Sequence, residues 1–217
     1  MNDQILPRGE QTRTAIVQAA RDLFIQQGFH RTSMRQIAQR ADIALGGLYN
    51  HFDSKGEIFK AVFLEYHPYR EVLPVLQAAR IATIEEFAND AIRRMIMALQ
   101  DHPEFLKLMF IEVVEFNNLH ISALFNTLMP QLLGIFQTAI EPSRDRLRPI
   151  PTLIMLRFYF GLFFAYFVTE ILFAKQAPPE FREGAVDYFV DMFLHGVLRP
   201  EGAGSGSSEP ADEAREA

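Results

Sequence analysis

The chain has 217 residues, 49% of them hydrophobic, with 21 Lys and Arg against 27 Asp and Glu, a net charge of −6. That length supports one sizeable core or two small ones without disulfide staples, and the absence of cysteine excludes disulfides, thiolate metal sites and cysteine nucleophiles. The acidic total argues against a nucleic-acid partner, but its distribution reverses that: residues 1–60 carry 8 Lys/Arg and 6 Asp/Glu, net +2, and the remainder 13 and 21, net −8.

Met1 to Glu10 has no apolar core of signal-peptide length, and the composition fits a cytoplasmic protein. Helical periodicity follows almost everywhere, so the fold class is all-α. Ile16, Ala19, Ala20, Leu23 and Phe24 form one apolar stripe, with Gly28 placed to stop the helix. Ser33-Met34-Arg35-Gln36 reads as a capping box, followed by a short stripe of Met34, Ile37, Ala38 and Ala41. Leu48 and Phe52 lie one turn apart in the next short segment. Ser54-Lys55-Gly56-Glu57 reads as a second capping box, opening a longer helix through Ile58, Val62, Phe63 and Tyr66. His67-Pro68 and Pro74 predict a kink or break. Further helices are expected at 83–101, 104–117, 119–140, 151–175 and 180–198, separated by Asp101-His102-Pro103, Glu141-Pro142-Ser143 and Ala177-Pro178-Pro179. Sixteen of the 20 Phe lie beyond residue 60, so the acidic body holds the aromatic core. Residues 200–217 are Gly, Ser, Ala, Pro and charges, the composition of a disordered acidic tail.

The stretch Leu153 to Ala174 contains only Arg157 and Glu170 as charges and is long enough to span a membrane. The uncharged run between those two is too short to cross a bilayer, and no basic cluster flanks one end. A helix shared between a core and an oligomer interface fits it better.

Two short helices braced by a preceding one form a helix-turn-helix arrangement, whose second helix enters the DNA major groove. Gly28-Phe29-His30-Arg31-Thr32-Ser33-Met34-Arg35-Gln36-Ile37-Ala38, then Ala41-Asp42-Ile43-Ala44, then Gly46-Gly47-Leu48-Tyr49-Asn50-His51-Phe52-Asp53-Ser54-Lys55 resembles the N-terminal domain of TetR-type (tetracycline-repressor-like) regulators. The resemblance implies an all-α homodimer with paired DNA-reading heads on a palindromic operator, and a ligand domain that shifts their spacing. It divides the chain into a DNA-binding domain at 8–55, a ligand-binding and dimerisation domain at 56–199 and the tail.

Within that frame Thr32 and Ser33 cap the second helix beside backbone phosphate. Arg35 opposes the helix dipole unless an anion lies opposite. Tyr49, Asn50, His51 and Lys55 suit phosphate contact, although Tyr49 also reads as a core aromatic and His51 as a surface residue. Leu48 and Phe52 read as hydrophobic pegs. Ala44, Leu45 and Gly47 depart from the polar or basic residues of many relatives, and Gly46 stands beside them. They offer methyl groups for thymine and close backbone approach, and the two glycines cost roughly 2 kcal/mol in helix propensity. Base specificity is then expected from Arg35, from Ala44 and Leu45, and from DNA shape. Arg8 and Arg13 read either as an arm touching phosphates or as a silent, solvated one.

In the body, Phe181, Ala185, Phe189, Met192, Phe193 and Val197 line one helix side, and Gly161 and Ala165 permit close approach of another helix, which matches the dimer contact the resemblance places in the last two helices. Phe110, Phe116, Phe125, Phe158 and Phe163 read either as core or as the wall of a pocket for a small hydrophobic effector, with Glu112, Asn117, His120 and Arg157 as polar candidates. Glu112, Glu115 and His120 also raise a metal reading, but ordinary helix surface explains them better. No catalytic motif appears, and no cofactor is expected. The rival function is a helical carrier or enzyme for hydrophobic molecules that kept its head for packing alone.

Overall fold

The computed structural model describes residues 7–78, 82–100, 102, 104–173 and 176–200. Its helices are α1 (Arg8–Arg31), α2 (Met34–Arg40), α3 (Leu45–Tyr49), α4 (Lys55–Tyr66), α5 (Tyr69–Gln77), α6 (Ile84–Gln100), α7 (Phe105–Phe116), α8 (Leu119–Ile140), α9 (Thr152–Phe173) and α10 (Ala185–Val197). No strand occurs among the described residues, only an isolated antiparallel bridge between Leu147 and Leu198. The chain is all-α with an N-terminal helix-turn-helix, as expected. The predicted acidic tail lies outside the described residues beyond Pro200.

Local chemistry explains the breaks. Gly28 takes φ 82°, a left-handed conformation that glycine adopts at least cost, and α1 is interrupted there. Ser33 accepts from the Gln36 N–H while the Gln36 side chain accepts from the Ser33 N–H, a complete capping box. At Ser54 only half of the second box forms: its hydroxyl accepts from Glu57 N–H. His67-Pro68 ends α4, whereas Pro74 sits inside α5 without ending it.

Two cores result. The head core joins Ile16, Phe24, Ile37, Leu48, Phe52 and, from α4, Ile58, Phe59 and Phe63. It also takes in Leu108 of α7 and Leu124 of α8, so the body's lower helices are built into the head. The body core packs Phe87, Met95, Phe136, Tyr159, Phe163 and Phe193. Ser143, in a 3-10 turn over Glu141–Arg146, accepts from the Ile84 N–H and ties that turn to the start of α6. By length and composition, Leu119–Arg146 and Thr152–Phe173 could each cross a membrane. In the folded chain α9 instead buries Met155, Leu156, Tyr159, Phe163 and Phe167 against the body.

Candidate nucleic-acid interface

The turn between α2 and α3 is set by Asp42, whose φ of 55° reverses the chain, and by a hydrogen bond from Ile43 N–H to Ala38 O at 3.0 Å. Leu48 and Phe52 drop into the head core and hold α3 down. Arg13 lies over the Phe52 ring at 5.2 Å. What α3 leaves outside is Ala44, Leu45, Gly46, Tyr49 and Asn50, with Gly47 and His51 half-buried. Ser33 and Arg35 are exposed at the neighbouring start of α2.

Neither glycine is required by the fold. A Cβ at Gly46 or Gly47 would meet nothing within 4 Å, and neither has a positive φ. The propensity penalty in a five-residue helix is therefore not repaid inside the molecule.

Charge pairing narrows the cation set. Arg21 and Arg40 both engage Asp22, and Lys60 pairs with Glu57. Arg8, Arg31 and Arg35 have no carboxylate partner among the described residues and are exposed. Arg31 is the residue the sequence reading passed over: nothing in its spacing separates it from a helix-end cation until the pairing of its neighbours is seen.

Two expected phosphate ligands are committed elsewhere. Thr32 is buried, and its hydroxyl donates to Gly28 O at 2.8 Å, filling the acceptor that the break at Gly28 exposes. Lys55 donates its Nζ to Phe29 O at 2.6 Å and Thr32 O at 2.8 Å, and lies 4.1 Å from the Phe29 ring centroid. Burial lowers its pKa, with Glu115 pulling the other way. Lys55 thus caps the end of α1 rather than facing outward.

Residues 16–62 match the family model for bacterial regulatory proteins of the tetR family. The regulator UidR of Escherichia coli K12 is 40% identical over 65 residues, 30% of this chain and 33% of UidR. The activator FasR of Mycolicibacterium smegmatis is 41% identical over 78 residues, 36% of this chain and 35% of FasR. The matched stretch thus spans about a third of either relative. A TetR family transcriptional regulator from Pseudomonas syringae pv. tomato superposes over 92% of this chain and 100% of its own, with TM-score 0.61 and 26% identity.

Residues 16–62 thus form a domain of the tetR family, and the chain as a whole shares the fold of TetR family regulators. These relatives are regulators rather than enzymes.

The TetR-type body does not bring the candidate effector residues together. Phe110 and Phe125 are more than half exposed on α7 and α8, and Arg157 and Phe158 lie on the outer side of α9. Phe163 alone belongs to the body core. Glu112, Phe116 and His120 form a head–body junction instead. Glu112 is fully buried and accepts from His120 N–H at 2.6 Å, Ile121 N–H at 3.1 Å and His120 Nδ1 at 2.8 Å, capping the start of α8. Left-handed Asn117 and Asn118 make this return possible. Phe116 stacks on Phe59 at 4.6 Å and meets Phe29 edge-on at 5.0 Å, while Glu115 pairs with His30 at 2.6 Å. No group of three or more His, Asp or Glu able to hold a metal occurs among the described residues. The void in the body core, bounded by Leu76, Phe87, Phe136, Leu156, Tyr159 and Phe160, measures about 10 Å³.

Proposed function

We propose that this chain is a homodimeric repressor that binds a palindromic DNA operator through Arg31, Arg35 and the Ala44–Gly47 tip of α3, and releases it when a small hydrophobic effector opens the body core. The observation carrying the DNA reading is that the tip keeps two glycines which its own packing does not need, while Arg31 and Arg35 have no carboxylate partner among the described residues. Backbone close to phosphate or base edges supplies the missing reason for them. Exposed Ser33, Tyr49 and Asn50 and half-buried His51 complete the contact in this reading.

The effector reading rests on the junction. Phe116 sits against α4 at Gly56 and Phe59, so any change in how α7 and α8 pack is felt where α4 begins. A void of about 10 Å³ cannot hold an organic molecule. The ligand must therefore select a more open body, and its affinity is reduced by the rarity of that state. Thermal shift against hydrophobic compounds reads this directly, because a ligand specific to the folded chain raises the melting temperature.

Selection of bound sequences from a random duplex pool, at two salt concentrations, tests the DNA reading. A palindromic site with steeply salt-dependent affinity is expected. No enrichment, repeated after unfolding and refolding to strip any ligand, would favour the hydrophobic carrier or enzyme.

A further inference from the structure

The end of the body formed by the 3-10 turn, the start of α9 and the residues after α10 contains a cavity of about 510 Å³. Its floor is apolar: Ile140, Leu147 and Met155 are buried and Ile150 is half-buried. Its walls carry Arg144, Arg148 and Arg199 against a single carboxylate, Glu141, a local balance of three cations to one anion. Residues 56–199 carry 13 Lys/Arg against 17 Asp/Glu, net −4, so such a balance is the reverse of the body as a whole.

The arginines are not equivalent. Arg144 pairs with Glu141 at 3.1 Å, so these two neutralise one another. Arg148 and Arg199 have no carboxylate partner among the described residues and are held by neutral backbone. The bridge between Leu147 and Leu198 is closed by Arg148 N–H to Val197 O and Arg199 N–H to Arg146 O, both 2.8 Å. Their side chains then reach across it: Arg148 Nη1 donates to Gly196 O at 3.2 Å and Arg199 Nε donates to Leu147 O at 2.9 Å. Each guanidinium has five N–H donors, so most remain available on groups already fixed in place. Two oriented, uncompensated forks match the geometry of a carboxylate or phosphate. Thr152, the first residue of the 22-residue α9, lines the same cavity, where the helix dipole adds to the positive potential.

We propose that this cavity is a binding site for a small organic oxyanion, a phosphomonoester or carboxylate whose apolar part rests on Ile140, Leu147, Ile150 and Met155. An inorganic ion fills too little of 510 Å³ to use that floor, whereas an aromatic or short aliphatic anion satisfies both halves of the lining. The site is separate from the void between α5, α6, α8 and α9 and does not depend on whether the head binds DNA.

The chain has no tryptophan, so one placed at the cavity rim reports on this site alone. Pro149 is exposed and lines the cavity, and Pro149→Trp supplies the probe. Phenyl phosphate, benzoate and inorganic phosphate are titrated separately at constant ionic strength, following Trp fluorescence, with calorimetry on the unsubstituted protein. Saturable binding of phenyl phosphate or benzoate is expected, with inorganic phosphate at least tenfold weaker. On the same reporter, Arg148→Gln with Arg199→Gln should weaken the organic anion at least tenfold. Because both arginines also brace backbone carbonyls, Arg148→Lys is a second variant that keeps the charge but loses the fork; a weakening of about threefold is expected. The proposal is overturned by no saturable fluorescence response to either organic anion, by inorganic phosphate binding as tightly as phenyl phosphate, or by unchanged affinity in the arginine variants. Calorimetric binding that leaves the Trp silent would place the anion elsewhere and overturn it equally.

Discussion

Gly46 and Gly47 set stability against recognition within a single side-chain atom. Alanine at either position adds a Cβ that meets nothing in the free protein and removes the backbone-entropy cost of a helical glycine. Gly47→Ala is expected to raise stability by up to about 1 kcal/mol in denaturant titrations and to weaken operator binding at least tenfold. Binding that survives intact would show that the α3 backbone does not approach DNA closely. The cations divide by the same logic. Arg31→Gln or Arg35→Gln should each reduce the slope of log affinity against log salt by about 1. Lys55→Gln should leave that slope unchanged while destabilising the head, since Phe29 O and Thr32 O lose their charged donor. His67 gives a pH signature. Packed between Phe63 and Phe105, with Nδ1 accepting from Tyr69 N–H, its imidazole is pushed down to about 4 by burial, from 6.5. The unfolded chain takes up a proton near 6.5 that the folded chain refuses until about 4. Stability contributed by the neutral ring is therefore complete above 6.5 and falls as pH drops through that window, by at most about 3 kcal/mol. His67→Asn, which can still accept from the Tyr69 N–H, should flatten the slope of unfolding free energy against pH between 6.5 and 4. An unaltered slope would assign it to other groups.

At the scale of elements, the helices were legible wherever punctuation is local. The expected ranges of α6 to α9 fall within a residue or two of the observed ones, helped by Pro103 and Pro142, whose fixed φ and missing N–H mark breaks in the sequence itself. For α10 the prediction began early, at 180, since Pro179–Phe181 forms a separate 3-10 turn before the helix opens at Ala185. Side-chain destinations were less legible. Lys55 looks like a helix-start cation, and only the fold shows that the Phe29 and Thr32 carbonyls at the end of α1 lie within its reach. Likewise Glu112 and His120 have the residue types of a polar pocket wall, but two left-handed asparagines fold α8 back so that the carboxylate caps its first turn. Such pairings depend on turn conformation, which periodicity does not record. The junction they build has its own consequence. Phe116 fills the space between Phe29, Phe59 and Gly56, so Phe116→Ala should cost about 2–3 kcal/mol, less than a fully buried phenylalanine because Phe116 is only half-buried. If the junction transmits effector binding, this variant should still bind its operator yet respond less to any compound that shifts the parent's melting temperature. A full response would remove α7 from the route.

For the whole molecule, the outer side of α9 and α10 is the feature a single copy leaves unexplained. Leu153, Ile154, Phe158 and Phe164 on α9, with Tyr188 and Met192 on α10, are all 40% or more exposed, a larger apolar surface than soluble monomers ordinarily present. An isologous partner would cover the same residues on both copies at once. Gly161 offers the cleanest probe, because it is exposed in the middle of α9 and a Cβ there meets nothing within 4 Å among the described residues. Gly161→Glu therefore starts from a Cβ with open space around it and even improves helix propensity, but places a carboxylate where a second helix would need to approach. Sedimentation at micromolar concentration should show the parent chain as a dimer and the variant as a folded monomer with unchanged far-ultraviolet dichroism. Two heads joined in one particle engage the second half-site at high effective concentration, and that advantage disappears with the dimer. Operator affinity should then fall by at least a hundredfold, with the salt slope roughly halved because one head neutralises half as many phosphates. A variant that stays dimeric would move the interface off this side of α9. One that becomes monomeric while binding the operator as before would mean that a single head suffices for recognition.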